Sequence, residues 1–233
     1  MHIPIFTIQC KRRSLSRNSC DLGGIKFLIR VEQLVNNFDN QMATFIQLHI
    51  KSCDRLQVAQ RLKALANIAE ISEERYPTDF TDRILQNSKG DADPTFILIG
   101  TVKDGWIRIQ LNSFKKMHTW AEKISREIQT TVVQIMGQTA SDVYYFLMYE
   151  QGNLRREIEV YHGDAENAID IGAKFAFEKQ FIIPTSEEDF VNLFDRDTLE
   201  AYCNELGFDP FTDAGPEKYY ILKKQQKPWW RPW

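Results

Sequence analysis

The chain of 233 residues is poor in the residues that build disulfide frameworks and zinc sites. Its four cysteines, Cys10, Cys20, Cys53 and Cys203, lie far apart and form no CxxC pair. This usage argues against a disulfide-rich secreted scaffold and a cysteine-based zinc module, and it is typical of proteins in a reducing cytosol. No two histidines have the spacing of metal ligands, and the HExxH motif is absent. We therefore expect no bound metal.

Long apolar runs and phosphate-binding loops are also lacking. No run reaches the roughly 18 apolar residues that cross a membrane. The apolar stretch 1–9 precedes the basic residues Lys11, Arg12 and Arg13, which is the reverse of the order in a secretory signal. Neither GxGxxG nor the P-loop motif occurs, so a nucleotide site has no support. The sequence predicts a cytoplasmic protein without membrane contact and without a cofactor.

An excess of positive charge is missing as well, since the formal net charge is −3. Proteins that bind a phosphate backbone normally have a basic excess. The aromatic residues of 143–149 lie in an unbroken apolar run without Lys or Arg, which favours core packing over the stacking of RNA bases. We therefore predict no nucleic-acid partner.

Acidic residues are concentrated near the C-terminus. Residues 185–217 contain ten Asp and Glu against one basic residue, Arg196. A solvated helical face and a surface that attracts a basic partner both account for such a run. On the second interpretation, the partner-binding residues are Glu187, Glu188, Asp189, Asp195 and Asp197.

Two β-hairpins are indicated by glycine-containing turns between apolar runs. Asp104-Gly105 separates two such runs within 95–111, and Gln151-Gly152 separates 143–149 from 154–161. Glycine tolerates the positive φ of a tight hairpin turn. The run 143–149 is apolar on both faces, which predicts an inner strand. By contrast, 154–161 alternates charged and apolar residues as a half-solvated outer strand does.

Helical periodicity appears in two segments between these strands. An alternating strand is followed by helical spacing over 55–71, and residues 72–94 are typical of a surface connection. A second helix is predicted over 114–129, with Asn112 or Ser113 as its N-cap.

Together these elements predict the α+β class, with a ferredoxin-like β-α-β-β-α-β order over 43–138 that is extended by the hairpin 142–161. The sheet is expected to be mainly antiparallel, with the helices packed on it. Trp120, Ile124 and Phe146 should be buried between the second helix and the sheet.

Composition divides the chain into three parts. Residues 1–41 form a basic and poorly defined N-terminal extension, which we expect to be dispensable for the fold. Residues 42–183 form the α+β domain, and 184–233 form an acidic helical segment and a Trp-rich tail packed on the same domain. Within that last part, Asp197 is expected to cap a helix over 198–206.

His162, Asp164 and Glu166 are the candidates for catalysis. They follow a strand directly, which is a common place for active-site groups, although any polar turn has a similar composition. His118 lies between Met117 and Trp120 and is expected to be a half-buried helix residue rather than a base.

Three functions from different classes remain open. The leading hypothesis is a non-enzymatic protein-binding protein of the bacterial cytosol, such as an immunity-type or inhibitor protein that masks a basic partner. It follows from the absence of catalytic motifs and the presence of an acidic segment. The alternative is a hydrolase-type enzyme that uses the 162–166 loop. The third is a small-ligand sensing domain that holds a molecule between sheet and helices.

Overall fold

The computed structural model describes residues 44–68, 70–75, 92–161, 164–178, 194–211 and 218–223, and within these ranges nine strands form one antiparallel sheet. In chain order the elements are β1 (Thr44–Lys51), α1 (Arg55–Ala66), β2 (Glu70–Arg75), β3 (Phe96–Lys103), β4 (Trp106–Leu111), α2 (His118–Glu127), β5 (Thr131–Gln138), β6 (Val143–Glu150), β7 (Asn153–Tyr161), β8 (Asp164–Gly172), α3 (Arg196–Glu205) and β9 (Lys218–Lys223). Across the sheet the strands follow the order β2-β9-β3-β4-β1-β5-β6-β7-β8. The predicted α+β protein with a mainly antiparallel sheet is confirmed.

Both predicted hairpins are present. The β3–β4 turn has positive φ at Asp104 (52°) and Gly105 (78°), and the β6–β7 turn has positive φ at Gln151 (51°) and Gly152 (84°). Two successive residues with positive φ are what the type I′ hairpin turn requires. The turn chemistry in the sequence therefore sets the pairing of these four strands.

Strand β1 divides its side chains between two cores. Ile46, Leu48 and Ile50 belong to the core that α1 and α2 cover, whereas Phe45 belongs to the core that α3 covers. Side chains alternate between the faces of a strand, so one buried strand in the middle of the sheet serves both cores. The sheet is therefore the middle layer, with α1 and α2 on one face and α3 on the other.

Helix α2 begins later than predicted, and its predicted N-caps have other roles. Asn112 Oδ1 accepts hydrogen bonds from the backbone N–H groups of Thr95 and Phe96, each over 3.0 Å, and thereby fixes the start of β3. The Ser113 hydroxyl donates to the carbonyl of Ala92. Residues 112–117 consequently form an irregular link between β4 and α2, here called the 112–117 link.

The predicted burial of Trp120 and Ile124 between α2 and the sheet is confirmed, and that of Phe146 needs a correction. Ala121, Ile124 and Trp120 are buried against the sheet. Phe146 is also buried, but it belongs to the opposite core, where it contacts the ring of Tyr202 on α3. The prediction that Phe146 packs under the second helix is wrong, because the register of β6 turns Tyr145 and Leu147 to that face.

Helix α1 ends before the predicted boundary at residue 71. Asn67 adopts the left-handed conformation with φ of 51°, and its N–H group bonds back to the carbonyls of Ala64 and Lys63. Asparagine tolerates this conformation better than most residues, so the helix stops there. The chain then forms β2, in which Ile71 pairs with Leu222 of β9. The predicted surface connection over 72–94 is therefore wrong for residues 72–75, which belong to β2. This strand is an addition to the predicted element order.

Strand β7 is an inner strand, because β8 pairs with its far side. The predicted half-solvated outer strand is therefore wrong. Three of its four charged side chains are buried, with Arg156 0% exposed, Glu157 5% and Glu159 6%, whereas Arg155 is exposed. Buried charges require partners, and those partners define the site described below.

Near the C-terminus, helix α3 overlaps the helix predicted over 198–206 and strand β9 follows it, but Asp195 is the N-cap. Its side chain accepts a hydrogen bond of 2.8 Å from the N–H group of Thr198, so the prediction that Asp197 caps the helix is wrong. The predicted extension 1–41, the start of the acidic segment and the Trp-rich tail lie outside the described residues. In the part of the chain that is described, no helix has the length and apolar character needed to cross a membrane.

Candidate functional site

Polar side chains meet on the α2-covered face of β6 and β7. The antiparallel register sets Tyr145 opposite Glu159 and Leu147 opposite Glu157. Since residues two apart on a strand point to the same face, the two carboxylates stand side by side. Both are almost completely excluded from solvent.

Glu157 is held by a histidine and a tyrosine. His118 Nε2 lies 3.0 Å from Glu157 Oε1, and the hydroxyl of Tyr145 donates to the same oxygen over 3.1 Å. The hydroxyl of Tyr149 lies 3.3 Å from His118 Nδ1. The two ring nitrogens of His118 thus contact Glu157 on one side and Tyr149 on the other.

Glu159 is held by a lysine and a second tyrosine. Lys116 Nζ lies 2.5 Å from Glu159 Oε2, and the hydroxyl of Tyr161 donates to Glu159 Oε1 over 2.8 Å. The same ammonium lies over the ring of Tyr145, 5.3 Å from its centroid. We call the whole set the tyrosine–carboxylate cluster. Its members are Lys116, His118, Tyr145, Tyr149, Glu157, Glu159 and Tyr161.

A buried glutamine on β5, Gln134, positions Lys116 and His118. Gln134 Oε1 accepts from the N–H group of Met117 over 2.7 Å, and Gln134 Nε2 donates to the carbonyl of Lys115 over 2.9 Å. These bonds fix the 112–117 link across β5, so that Lys116 and His118 both reach the sheet. A completely buried amide of this kind is rigid because its polar atoms are paired.

A cavity of about 380 Å³ adjoins the cluster, at the ends of β5, β6 and β7. Apolar side chains and the cluster share its wall, which includes Phe114, Lys116, Met136, Val143, Tyr145, Glu159 and Tyr161. Small-molecule sites in proteins have this size range and this mixture of apolar walls with a few polar groups.

Burial and charge keep Tyr145 and Tyr149 protonated. Burial, reinforced by the charge of Glu157 and the hydrogen bond to it, raises the pKa of Tyr145 far above its ordinary value. Burial, with smaller effects of Glu122 and Glu157, also raises the pKa of Tyr149. Both hydroxyls are therefore hydrogen-bond donors at neutral pH, and neither is suited to act as a phenolate base.

The opposite face of β7 carries a second group of charges, the Arg156 cluster, formed by Arg156, Asp170, Lys174 and Glu178. The guanidinium of Arg156 donates two bonds of 2.9 Å to the carboxylate of Glu178 and also pairs with Asp170. Lys174 Nζ lies 3.6 Å from the other oxygen of Asp170. The rings of Phe146, Phe175, Phe177, Phe194 and Tyr202 form a contiguous set of aromatic contacts on this face.

The structure places two of the three predicted catalytic residues on β8, and His162 lies outside the described residues. Asp164 pairs with Tyr161 across the ladder, and its carboxylate accepts from the N–H group and the side-chain amide of Asn167. Glu166 is exposed. Among the described residues no hydrogen bond or ion pair joins Asp164 to Glu166. The segment is a strand where the sequence indicated a loop, and a catalytic role for it remains a prediction.

Of the predicted partner-binding acids, Asp195 and Asp197 stand exposed at the start of α3. Glu187, Glu188 and Asp189 lie outside the described residues. The interaction of this surface with a basic partner remains a prediction.

Sequence reasoning missed Lys116, Glu157 and Glu159 as site residues. The two glutamates were assigned to a solvated face because β7 was expected to be an outer strand. The signal that could have found them is the alternation of Ile169 and Ile171 with Asp170 and Gly172, which indicates a further strand beyond β7.

In the described ranges, no group of three or more His, Cys, Asp or Glu side chains is arranged to hold a metal ion. Comparisons with protein-family models, with curated proteins and with solved structures found no match to this chain. The tyrosine–carboxylate cluster and the cavity beside it are therefore the features from which a function is inferred.

Proposed function

We propose that this protein binds a small organic molecule in the cavity beside the tyrosine–carboxylate cluster. The observation that carries the proposal is the shared wall, in which Phe114, Met136 and Val143 supply apolar surface while Lys116 and Glu159 supply charge. Apolar walls favour ligand burial, and a few fixed polar groups orient the ligand. The arrangement supports the sensing hypothesis more directly than the other two.

The polar wall is prepared for a ligand because its groups are ordered before binding. Glu159 accepts from both Lys116 and Tyr161, yet a carboxylate has about four acceptor positions. Lys116 likewise has three N–H donors. Preorganised groups with unused capacity bind a ligand without first paying the entropy of ordering.

The proposal is tested with three aromatic probes of similar size, benzyl alcohol, benzylamine and benzoate, in amide NMR titrations of the full chain. Binding of any one should shift the amide signals of Gly137, Val143 and Tyr161 selectively. Val143→Trp should abolish these shifts by filling the cavity, whereas the matched control Val102→Trp, at an exposed position on β3, should retain them. Shifts that are equal in both variants would count against the cavity.

We also infer a ferredoxin-like core within the larger sheet. Support comes from the four neighbouring strands β3-β4-β1-β5, each antiparallel to the next, with α1 between β1 and β3 and α2 between β4 and β5. On this view, β9 and β2 extend one side, while β6, β7 and β8 extend the other and build the cavity.

A second function is the masking of a basic protein by the acidic C-terminal segment. It is favoured by the exposure of Asp195 and Asp197 at the start of α3. Reversal of Glu187, Glu188 and Asp189 to Lys should slow association with poly-lysine as a basic probe and weaken its salt dependence, since charge steering acts mainly on the association rate. Unchanged kinetics would identify the segment as a solvated face.

A further inference from the structure

We infer that the ligand of this cavity is an uncharged aromatic molecule that carries a hydroxyl group. The inference rests on the proposed binding function and specifies the ligand chemistry that the wall selects. Three features of the wall support it: the pairing of its two charged residues with each other, the hydrogen-bonding capacity left at that pair, and the kind of apolar surface beside it.

The first feature is the ion pair of Lys116 and Glu159, which are the charged residues among those described in the wall. Lys116 Nζ lies 2.5 Å from Glu159 Oε2, and the side chain of Glu159 is 8% exposed. The neighbouring carboxylate of Glu157 is not part of the described wall, and it accepts from Tyr145 and contacts His118. The charges that face the cavity are therefore already matched with each other.

A charged ligand gains little from such a pair. An ammonium bound to Glu159 would lie close to the ammonium of Lys116, and a carboxylate bound to Lys116 would lie close to Glu159. Either ligand also loses hydration in a cavity with apolar walls, and no unmatched counter-charge in the described wall offsets that loss. An uncharged ligand avoids the repulsion and most of the desolvation penalty.

The second feature is the hydrogen-bonding capacity that the pair retains. Glu159 accepts from Lys116 and Tyr161, although a carboxylate has about four acceptor positions. The ammonium of Lys116 has three N–H donors. A ligand hydroxyl both donates and accepts, so it can bond to Glu159 and Lys116 at once without separating them.

The third feature is the apolar surface of Phe114, Met136 and Val143. Aromatic rings pack favourably against a phenylalanine ring in offset or edge-to-face arrangements, and methionine sulfur makes favourable contacts with ring edges. The volume of about 380 Å³ lies toward the lower end of the range for small-molecule sites. The ligand class is therefore a small aromatic alcohol or phenol, with its hydroxyl at the ion pair and its ring against these side chains.

The order of affinity among the three probes tests this inference at about pH 7, where benzylamine is a cation and benzoate an anion. Benzyl alcohol should bind about tenfold more tightly than either ion, because an ion loses more hydration than a hydroxyl and meets a like charge in the wall. Equal or tighter binding of benzylamine or benzoate would overturn the inference of an uncharged ligand while leaving the proposed binding function intact. Failure of all three to shift the cavity signals would overturn both.

Nuclear Overhauser contacts of bound benzyl alcohol test the position of its hydroxyl. The methylene group beside the hydroxyl should contact the ring of Tyr161, and the aromatic protons should contact Met136 and Val143. The reverse orientation would show that the ion pair does not recognise the hydroxyl, and the inferred ligand class would then be wrong.

Removing either member of the pair should change the order of affinity in opposite directions. Lys116→Met leaves Glu159 without its cation, so benzylamine should gain about tenfold relative to benzyl alcohol. Glu159→Gln leaves Lys116 without its carboxylate, so benzoate should gain instead. Lys116→Met alone keeps the test decisive if Glu159→Gln does not fold, because the lysine side chain is 35% exposed.

Exposed residues outside the wall provide matched controls. Lys103→Met on β3 and Glu205→Gln on α3 change the net charge by the same amounts and should keep the order of the unmodified protein. An unchanged order in Lys116→Met would overturn the inference. The same would follow if benzylamine gained as much in Lys103→Met, since the effect would then come from overall charge rather than from the ion pair.

Discussion

The two faces of strand β7 bury charged side chains in adjacent positions, but they surround those charges differently. Arg156 faces α3 and is completely buried, with the carboxylate of Glu178 bound through two hydrogen bonds. Glu157, the next residue, faces α2 and belongs to the cluster that borders the cavity. One strand therefore contributes to a closed ion pair on one face and to an accessible polar wall on the other.

The two clusters also differ in how accessible their charges are. In the Arg156 cluster, the completely buried guanidinium of Arg156 is bound by Glu178 and Asp170. In the tyrosine–carboxylate cluster, Glu159 pairs with Lys116, whose side chain is 35% exposed, and Glu157 contacts the ring of His118. Lys116 and Glu159 line the cavity, so a ligand there is within reach of both. This difference favours the α2-covered face for binding.

The largest expected effect comes from breaking the sealed pair. Glu178→Ala removes two hydrogen bonds of the buried Arg156 and leaves Asp170 as its carboxylate partner, so it should lower the free energy of unfolding by about 3 kcal/mol, the lower end of the range for breaking a buried pair. Lys116→Met, on the open face, should cost less, about 1 kcal/mol, since the lysine side chain is a third exposed and Glu159 keeps its hydrogen bond from Tyr161. Urea unfolding followed by tryptophan fluorescence measures both. Similar losses in the two variants would remove the distinction between the faces.

The next effect concerns the histidine sealed on the α3-covered face. His49 is 2% exposed, donates a 2.8 Å hydrogen bond from Nε2 to Gln47 Oε1, and stacks on Phe208. Burial, reinforced by the positive charge of Arg108 and opposed by Asp209, lowers the pKa of His49 from 6.5 to about 3. Because Gln47 Oε1 is an acceptor, the ring donates to it through Nε2 and stays neutral in the fold.

The sign of the resulting pH dependence follows from linkage. Below about pH 6.5 the unfolded chain binds a proton at His49 that the folded protein excludes, so stability is full above that pH and falls as pH decreases toward 3. The loss is about 1.4 kcal/mol per pH unit, or roughly 2–3 kcal/mol between pH 6.5 and 4.5. His49→Phe, which keeps a ring against Phe208, should show a shallower decline in urea unfolding across this range. Parallel profiles for the two proteins would contradict the prediction.

Local chemistry explains which parts of these two faces could be predicted. The positive-φ turns at Gly105 and Gly152 are encoded by adjacent residues, and so both hairpins follow from the sequence. The alternation along β1 likewise predicts that Phe45 and Ile46 face opposite sides. Pairing inside a hairpin needs no information from distant residues.

The remaining features depend on contacts between distant parts of the chain. Strand β2 pairs with β9, whose residues lie near the other end of the described chain, and the sequence around Ile71 continues a helical pattern instead. The burial of Glu157 and Glu159 depends on β8, whose polar start resembles a loop. His118 was recognised as half-buried, but its contact with Glu157 requires the register of β7 against α2. Periodicity alone does not specify such partners.

A smaller effect separates the buried tyrosines of the two faces. Tyr145 donates a hydrogen bond to Glu157, and Tyr145→Phe should therefore cost about 1–2 kcal/mol of stability. The hydroxyl of Tyr202 on the α3-covered face is buried near Glu178 and Arg156, but among the described residues it makes no hydrogen bond of ordinary geometry. Tyr202→Phe should leave the free energy of unfolding unchanged or slightly higher. If Tyr202→Phe costs as much as Tyr145→Phe, the hydroxyl of Tyr202 is more strongly bound than this geometry indicates.

The smallest effect concerns the helices that cover the two faces, because they begin in different ways. Helix α3 has a side-chain N-cap in Asp195, whereas α2 follows Met117, which makes no such bond. Asp195→Ala should cost about 1 kcal/mol by exposing an unpaired N–H group of the first turn. Asp197→Ala should cost only about 0.3 kcal/mol, because this exposed carboxylate contributes through the helix dipole alone.

Amide hydrogen exchange shows which of the two helices loses stability. In Asp195→Ala the amides of α3 should exchange faster while those of α2 keep their wild-type rates, since local opening follows the stability of the segment concerned. Asp197→Ala is the matched control, because Asp197 lies two residues further along the same exposed helix start. Equal exchange rates in the two variants would show that Asp195 acts through its charge rather than as a cap. Faster exchange in α2 as well would show that α2 and α3 unfold together.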